Sequence, residues 1–453
     1  MDNPPLIRRL FHLAWPVLIV QLTVMANGFI DTLMAGRLSA EDLAAVGIGA
    51  SIYVTVYITL MSVLLSLMPT VAHLHGAARY AEIGEEVRQA GWLALLLAIT
   101  AIALLKNPDP LIALARLTPG VETRVRGYLD AAAFGVPAAM AFRLFYGFMA
   151  GIGRPRVVMS INLVGLALKV PLNLVFMHGY LGLPAMGGPG CAVASAAIAW
   201  TTALIAWSWC ARQKDCTDYG LFARNSLPQP ARIGALLKLG LPIGGTYLVD
   251  VTAFTFMALF IARLGPVMSA AHQIAANLAV VCYMVPLALG SATAVLCGQK
   301  LGAGDAAQAR HAGLLGLGVG MAVGCAIALG LFLGADRLVA LYTTDAILRA
   351  AAAPLVAIVA AYHLVDSLQA VAVNVLRGYK KTTVPMIVYA MALWGIGLGG
   401  GYVLALTDLF GPARGAAGFW WAATASLAVA GVAVTAYFLK VSQTRLAPQT
   451  TKP

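Results

Sequence analysis

The chain has 453 residues, 60% of them hydrophobic and only 11% charged, with a mean hydropathy of +0.84, whereas a soluble domain carries about 25% charged residues. No water-soluble shape hides that much apolar surface. The formal charge of +12 invites a nucleic-acid reading, but the basic residues are scattered between apolar runs rather than gathered in one patch, which excludes that class.

Apolar runs long enough to cross a bilayer, roughly 20 residues each, recur along the whole chain. They predict spans at 13–36, 46–72, 89–105, 128–150, 157–178, 190–211, 236–262, 270–297, 312–334, 350–375, 384–406 and 416–439. The first follows Arg8-Arg9, as in a signal peptide, but no small-residue cleavage site comes after it and Asp31 interrupts its far end. It reads as an uncleaved span. With both termini in the cytoplasm, 19 of the 30 Lys and Arg fall inside and 9 outside, with Arg143 and Lys169 alone left within helices. That bias obeys the positive-inside rule. The six cysteines contain no CxxC pair, so neither a disulfide framework nor a metal site is expected.

Sliding the sequence against itself by 226 residues aligns Pro16 with Pro242, Arg37-Leu38 with Arg263-Leu264, and Gly76-Ala77 with Gly302-Ala303. A shared offset at helix starts and loops points to an internal repeat. Each half then holds six spans and has the same orientation. The expected fold is therefore an all-α membrane protein, with twelve transmembrane helices in two six-helix bundles related by a pseudo-two-fold axis along the membrane normal. The expected division is an N-terminal bundle at 1–211, a polar cytoplasmic linker at 212–233 containing Pro228 and Pro230, and a C-terminal bundle at 234–453. Such a fold binds its cargo near the midplane and alternates access by rocking.

Of the acidic residues, only Asp31, Asp250 and Asp366 lie within the apolar spans. A charged Asp at a helix centre costs roughly 2.5–3.5 kcal/mol on insertion scales, so each is a candidate cation site. Tyr362 and His363 stand four and three residues before Asp366, and Tyr247 and Phe254 bracket Asp250, all at helical neighbour spacing. Aromatic faces beside carboxylates suit an organic cation, and ordinary core packing suits the same rings. Asn162, Lys169 and Asn173 form one polar stripe on the fifth span, where Lys169 is a candidate internal counter-ion for Asp31. The absence of a Walker motif argues against ATP-driven transport by this chain alone. No enzymatic activity is expected.

These residues bring the sequence close to a known family. Ala14-Trp15-Pro16, Asp31-Thr32-Leu33-Met34-Ala35-Gly36, Gly240-Leu241-Pro242-Ile243, Ala271-His272-Gln273-Ile274-Ala275, Asp366-Ser367-Leu368-Gln369 and Leu376-Arg377-Gly378-Tyr379-Lys380 resemble the multidrug and toxic compound extrusion (MATE) family, in its NorM-like branch. The resemblance implies a monomeric, multi-pass protein of the bacterial inner membrane. It implies export of small organic cations, drugs and dyes, against inward Na⁺ or H⁺ by alternating access, with no other cofactor. It further implies that Asp31, Asp250 and Asp366 are the functional carboxylates, with Tyr362 near the cation site. Asp250 and Asp366 are the candidate holders of Na⁺, with Na⁺ and H⁺ both open as the coupling ion. Tyr247, Phe254, His363, Asn173 and Asn162 are the expected cavity residues. The family's usual Glu at position 250 and Asn at position 169 are Asp and Lys here. A lipid-linked oligosaccharide flippase of the same superfamily is the alternative. It would line its cavity with basic residues, of which only Arg143 and Lys169 are expected inside.

Overall fold

The computed structural model describes residues 5–115, 117–222 and 226–446. Among the described residues, twelve helices are long and apolar enough to cross a membrane. In chain order they are α1 (Leu6–Leu38), α2 (Ala40–Gly76), α3 (Tyr80–Lys106), α4 (Pro119–Gly151), α5 (Pro155–His178), α6 (Pro189–Arg212), α7 (Pro230–Ala262), α8 (Pro266–Gly302), α9 (Ala306–Tyr342), α10 (Ala346–Gly378), α11 (Thr383–Leu406) and α12 (Gly415–Leu446). Each of the twelve expected spans lies within one of them. The observed helices run past the apolar stretch because their ends carry capping chemistry that hydropathy ignores. Pro occupies the first turn of α4, α5, α6 and α8, where a missing N–H costs nothing. The Asp305 and Asp345 carboxylates accept from the first amides of α9 and α10, as N-caps do.

The helices pack into two compact units, Ile19–Gly244 and Met1–Leu18 with Gly245–Pro453. These limits differ from the expected boundaries at 211 and 234. Two helices are divided between units, α1 after Leu18 and α7 after Gly244, each two residues beyond an internal proline, Pro16 or Pro242. A proline there removes one i→i−4 bond. The residues before the second division belong with the first half: a Cβ on Gly240 would stand 2.3 Å from the Val63 carbonyl oxygen of α2.

One central helix of 33 residues organises each unit. In Ile19–Gly244 it is α4, packed by α2, α3 and α6. In the other unit it is α10, packed by α8, α9 and α12. Close approach onto α10 comes from small residues, as is usual where hydrophobicity cannot drive helices together in lipid. On α9, a Cβ at Gly320 would lie 2.7 Å from Val371 and one at Gly324 2.7 Å from Ser367. Helix α11 changes hydrogen-bonding pattern midway, with a π-helical segment at Met391–Gly400 that begins two residues after Tyr389, a residue of the site below.

The expected linker at 212–233 is more structured than its polarity suggests, although residues 223–225 lie outside the described ones. A short helix occupies Lys214–Thr217, and α7 already begins at Pro230. Polar residues at the start of α3 hold the rest in place. Arg88 donates to the Gly220 carbonyl and to Ser226 Oγ (2.7 Å), Gln89 to the Leu227 carbonyl (2.9 Å), and Arg232 pairs with Glu86 at 2.6 Å.

Candidate functional site

Within the Gly245–Pro453 unit, α7, α8, α10 and α11 enclose a cavity of about 350 Å³. Asp250, on α7, and Asp366, on α10, both line it, with Tyr247, Phe254, Tyr283, Tyr362, Gln369, Asn374, Arg377 and Tyr389. Helical phase explains the α10 contribution. Residues 362, 366, 369, 373 and 377 fall on one stripe at 3.6 residues per turn, and Tyr362, Asp366, Gln369, Val373 and Arg377 all line the cavity.

The two carboxylates differ in what satisfies them. Tyr389 donates its hydroxyl to Asp250 Oδ1 at 2.6 Å. Asp366 is 5% exposed, and among the described residues no donor lies within hydrogen-bond distance of its carboxylate. An ionised carboxylate accepts about four bonds, so most of that capacity remains directed at the cavity. Next to it Tyr362, Phe254 and Trp420 pack edge to face, with ring centroids 5.3–6.5 Å apart. The arrangement offers negative charge beside aromatic surface, which attracts a cation by Coulomb and cation–π forces together. Among the described residues no three His, Cys, Asp or Glu side chains gather as a metal cluster. Any cation held here would be met by the two carboxylates and neutral oxygens.

The expected cavity residue His363 does not line this space. Its side chain is fully buried on the flank of α10 that carries Ser367, with Ser367 Oγ 3.4 Å from Nε2. A three-residue step turns a side chain about 60° away from Asp366, onto the flank of Ser367, which meets Gly324 of α9. Arg377 corrects the expectation in the other direction. Counted among the cytoplasmic basic residues because it lies beyond the expected span at 350–375, Arg377 is still helical and only 8% exposed, and lines the same cavity as the carboxylates. It donates to Asn374 Oδ1 at 3.2 Å, and its guanidinium carbon sits 5.6 Å from the Tyr247 ring centroid. Its spacing from Asp366, eleven residues or three turns, was the available signal. Tyr283 and Tyr389 were also missed, since nothing within α8 or α11 alone marks them.

The third membrane carboxylate belongs to the other unit. Lys169 Nζ lies 2.8 Å from Asp31 Oδ1, with the two side chains 1% and 11% exposed. Asn173 Nδ2 donates to the same oxygen at 2.8 Å, and Lys169 is further held by Ser195 Oγ at 2.5 Å and the Cys191 carbonyl at 3.4 Å. Asn173 is fully buried within this network, so it faces an ion pair and not a cavity. Asn162 stays outside the network, is not among the residues lining the cavity around Asp250 and Asp366, and donates its amide to the Val158 carbonyl of its own helix.

Comparison with known proteins matches this arrangement to one family. The MatE family model matches residues 16–175 and 242–403. A probable multidrug resistance protein NorM of Aromatoleum aromaticum is 41% identical over 430 residues, 94% of this chain and 92% of that protein. The multidrug resistance protein PmpM of Pseudomonas aeruginosa is 37% identical over 415 residues, 91% of this chain and 87% of its own. Among solved structures, the MATE transporter NorM-NG in complex with a dye and a monobody superposes with a TM-score of 0.82 at 33% identity, covering 96% of this chain and 94% of that one. A eukaryotic MATE transporter, at 16% identity, shares the fold with a TM-score of 0.87 over 97% and 98% of the two chains. With both halves matched by the family model and near full-length relatives well above 30% identity, the chain belongs to the MatE family, in its NorM-like branch.

Proposed function

We propose that this protein is a secondary active multidrug exporter that antiports organic cations against inward Na⁺ or H⁺ by alternating access. The observation that carries the reading is the pair Asp250 and Asp366, buried beside aromatic rings in one cavity of the Gly245–Pro453 unit. A carboxylate that holds either cargo or coupling ion lets one displace the other, which is the minimal chemistry of exchange. If one monovalent drug left for one entering cation, the charge movements would cancel and the membrane potential would contribute nothing. Two carboxylates make room for a second cation, and each net charge moved adds about 2.3 kcal/mol per 100 mV.

Asp31 takes no direct part in this exchange, because Lys169 already neutralises it. The positive-inside bias supports cytoplasmic termini in a bacterial inner membrane. The names of the relatives, multidrug resistance proteins, support drugs as cargo. A single guanidinium against two carboxylates in the cavity fits a cationic cargo better than a pyrophosphate-linked lipid. Dye efflux from everted vesicles under separately imposed Na⁺ and H⁺ gradients tests the reading. Efflux should be driven by at least one gradient, and efflux that ignores both would overturn the proposal.

A further inference from the structure

Three helix ends that meet on one side of the Gly245–Pro453 unit carry donors with nothing to bind. Helix α9 starts there, and α10 and α12 finish there. Their common contact is at Gly313 of α9, where a Cβ would stand 2.6 Å from the Phe438 ring of α12 and 3.2 Å from Val375 of α10. Arg310 lies three residues before Gly313, Tyr379 four after Val375 and Arg445 seven after Phe438. Each step keeps a side chain on the same helix face, so all three project beyond that contact toward the membrane surface.

Tyr379 is 2% exposed, packs its ring on Phe438 with centroids 5.6 Å apart, and leaves its hydroxyl without a hydrogen-bond partner. Arg310 Nε is likewise shut from solvent and unbonded. Both Arg310 and Arg445 act electrostatically on the hydroxyl. Among the described residues no carboxylate lies within ion-pair distance of either guanidinium, and the acid nearest to Arg310 in sequence, Asp305, caps α9 through the Gln308 amide at 2.9 Å. Buried polar groups are normally satisfied, so two orphan donors amid positive charge call for an anion.

The surroundings say which anion. Leu314, one turn along α9 from Arg310, and Leu446, beside Arg445, are 41% and 40% exposed, so apolar surface adjoins the cluster. A free ion uses none of that surface, whereas a phospholipid covers it with its chains while its phosphate stays at the helix ends. Two guanidiniums without a carboxylate favour a headgroup of net negative charge. We propose that Arg310, Tyr379 and Arg445 form a site for the phosphodiester of an anionic lipid, outside the cavity of Asp250 and Asp366. The Arg310 fork pairs with two phosphate oxygens, and the Tyr379 hydroxyl donates to the same group. Phosphates line both faces of a bilayer, so the site depends neither on which way the chain is inserted nor on what the protein exports.

The test uses the purified full chain in detergent and reads the unfolding midpoint during titration, since a ligand of the folded state stabilises by mass action. The probes are dioctanoyl phosphatidylglycerol, dioctanoyl phosphatidylcholine and inorganic phosphate. The wild type should respond to the glycerol lipid at about tenfold lower concentration than to the choline lipid, and phosphate alone should leave the midpoint unmoved. Equal response to the two lipids would overturn the proposal, and stabilisation by phosphate alone equal to that by lipid would overturn the lipid as occupant. Arg310→Gln should weaken the response to the glycerol lipid by about tenfold or more, the range of a bond to a charged group, and an undiminished response would overturn the site. If that variant does not fold, Tyr379→Phe decides, because it deletes only the hydroxyl. Its midpoint without lipid should equal that of the wild type, since the hydroxyl then has no partner, while its response to the glycerol lipid weakens by a similar factor. A midpoint already lowered without lipid, or a response to lipid equal to that of the wild type, would overturn the proposal.

Discussion

Asp31 and Asp366 are the same side chain buried to a similar depth, 8% and 5% exposed, yet the two units treat them in opposite ways. In the Ile19–Gly244 unit the chain supplies its own cation: Lys169 at 2.8 Å, with Asn173 on the same oxygen and Ser195 behind the ammonium. In the other unit, Asp250 receives one hydroxyl from Tyr389, and Asp366 receives no donor from the described residues. The difference teaches that depth alone does not make a carboxylate functional. What matters is whether its acceptor capacity is filled from within or left facing a cavity. A filled site is part of the fold. An unfilled one asks for a ligand, because its burial is offset only when something cationic arrives.

The comparison can be broken in several ways, beginning with the largest effect. Asp366→Asn should abolish gradient-driven dye efflux while the protein still reaches the membrane in normal amount, as quantified by immunoblot of washed membranes. Full gradient-dependent efflux from that variant would remove Asp366 from the coupling site. Lys169→Met leaves Asp31 buried with no counter-charge, and breaking such a pair from one side costs about 3–5 kcal/mol. Thermal unfolding of the purified variant should show that loss. Adding Asp31→Asn should restore much of it, because neither charge is then stranded, and strictly additive losses would deny the pairing.

Smaller effects sharpen the contrast. Tyr389→Phe deletes one hydrogen bond to Asp250, and bonds to charged groups are worth about 1.5–3 kcal/mol. The KM for dye efflux should therefore shift by about tenfold or more with little change in folded yield, and an unaltered KM would mean the hydroxyl does not condition the site. The smallest effect is expected at Asn162, whose amide bonds only to its own helix. Asn162→Ala should change the efflux rate by less than about twofold, in keeping with a lone bond of about 1 kcal/mol that touches no cargo. A larger loss would return it to the cavity.

The sequence made the twelve spans legible because lipid demands long apolar helices with every backbone group satisfied internally. It also made the three carboxylates legible, since charge is rare at that depth. The Asp31–Lys169 pair could be reached as a hypothesis from the stripe of polar residues on α5. Facts that live between helices were out of reach. Tyr389 meets Asp250 across 139 positions of chain, and no periodicity within α11 marks it. Single-helix geometry also misled where the angle was intermediate: His363 neighbours Asp366 in sequence but is fully buried beside Ser367. Arg377 was hidden because the apolar run ends before it, while the helix continues to Gly378. The division of α1 and α7 between units was hidden because hydropathy records a span and not the partners of its two ends.

The central claim is that coupling resides in Asp250 and Asp366 while Asp31 is neutralised within the fold. The most direct test reconstitutes two double variants, Asp31→Asn with Lys169→Met and Asp250→Asn with Asp366→Asn, in proteoliposomes and measures dye transport under imposed Na⁺ and H⁺ gradients. The account predicts that the first variant keeps gradient-driven transport and the second loses it. Transport lost in the first and kept in the second would contradict it.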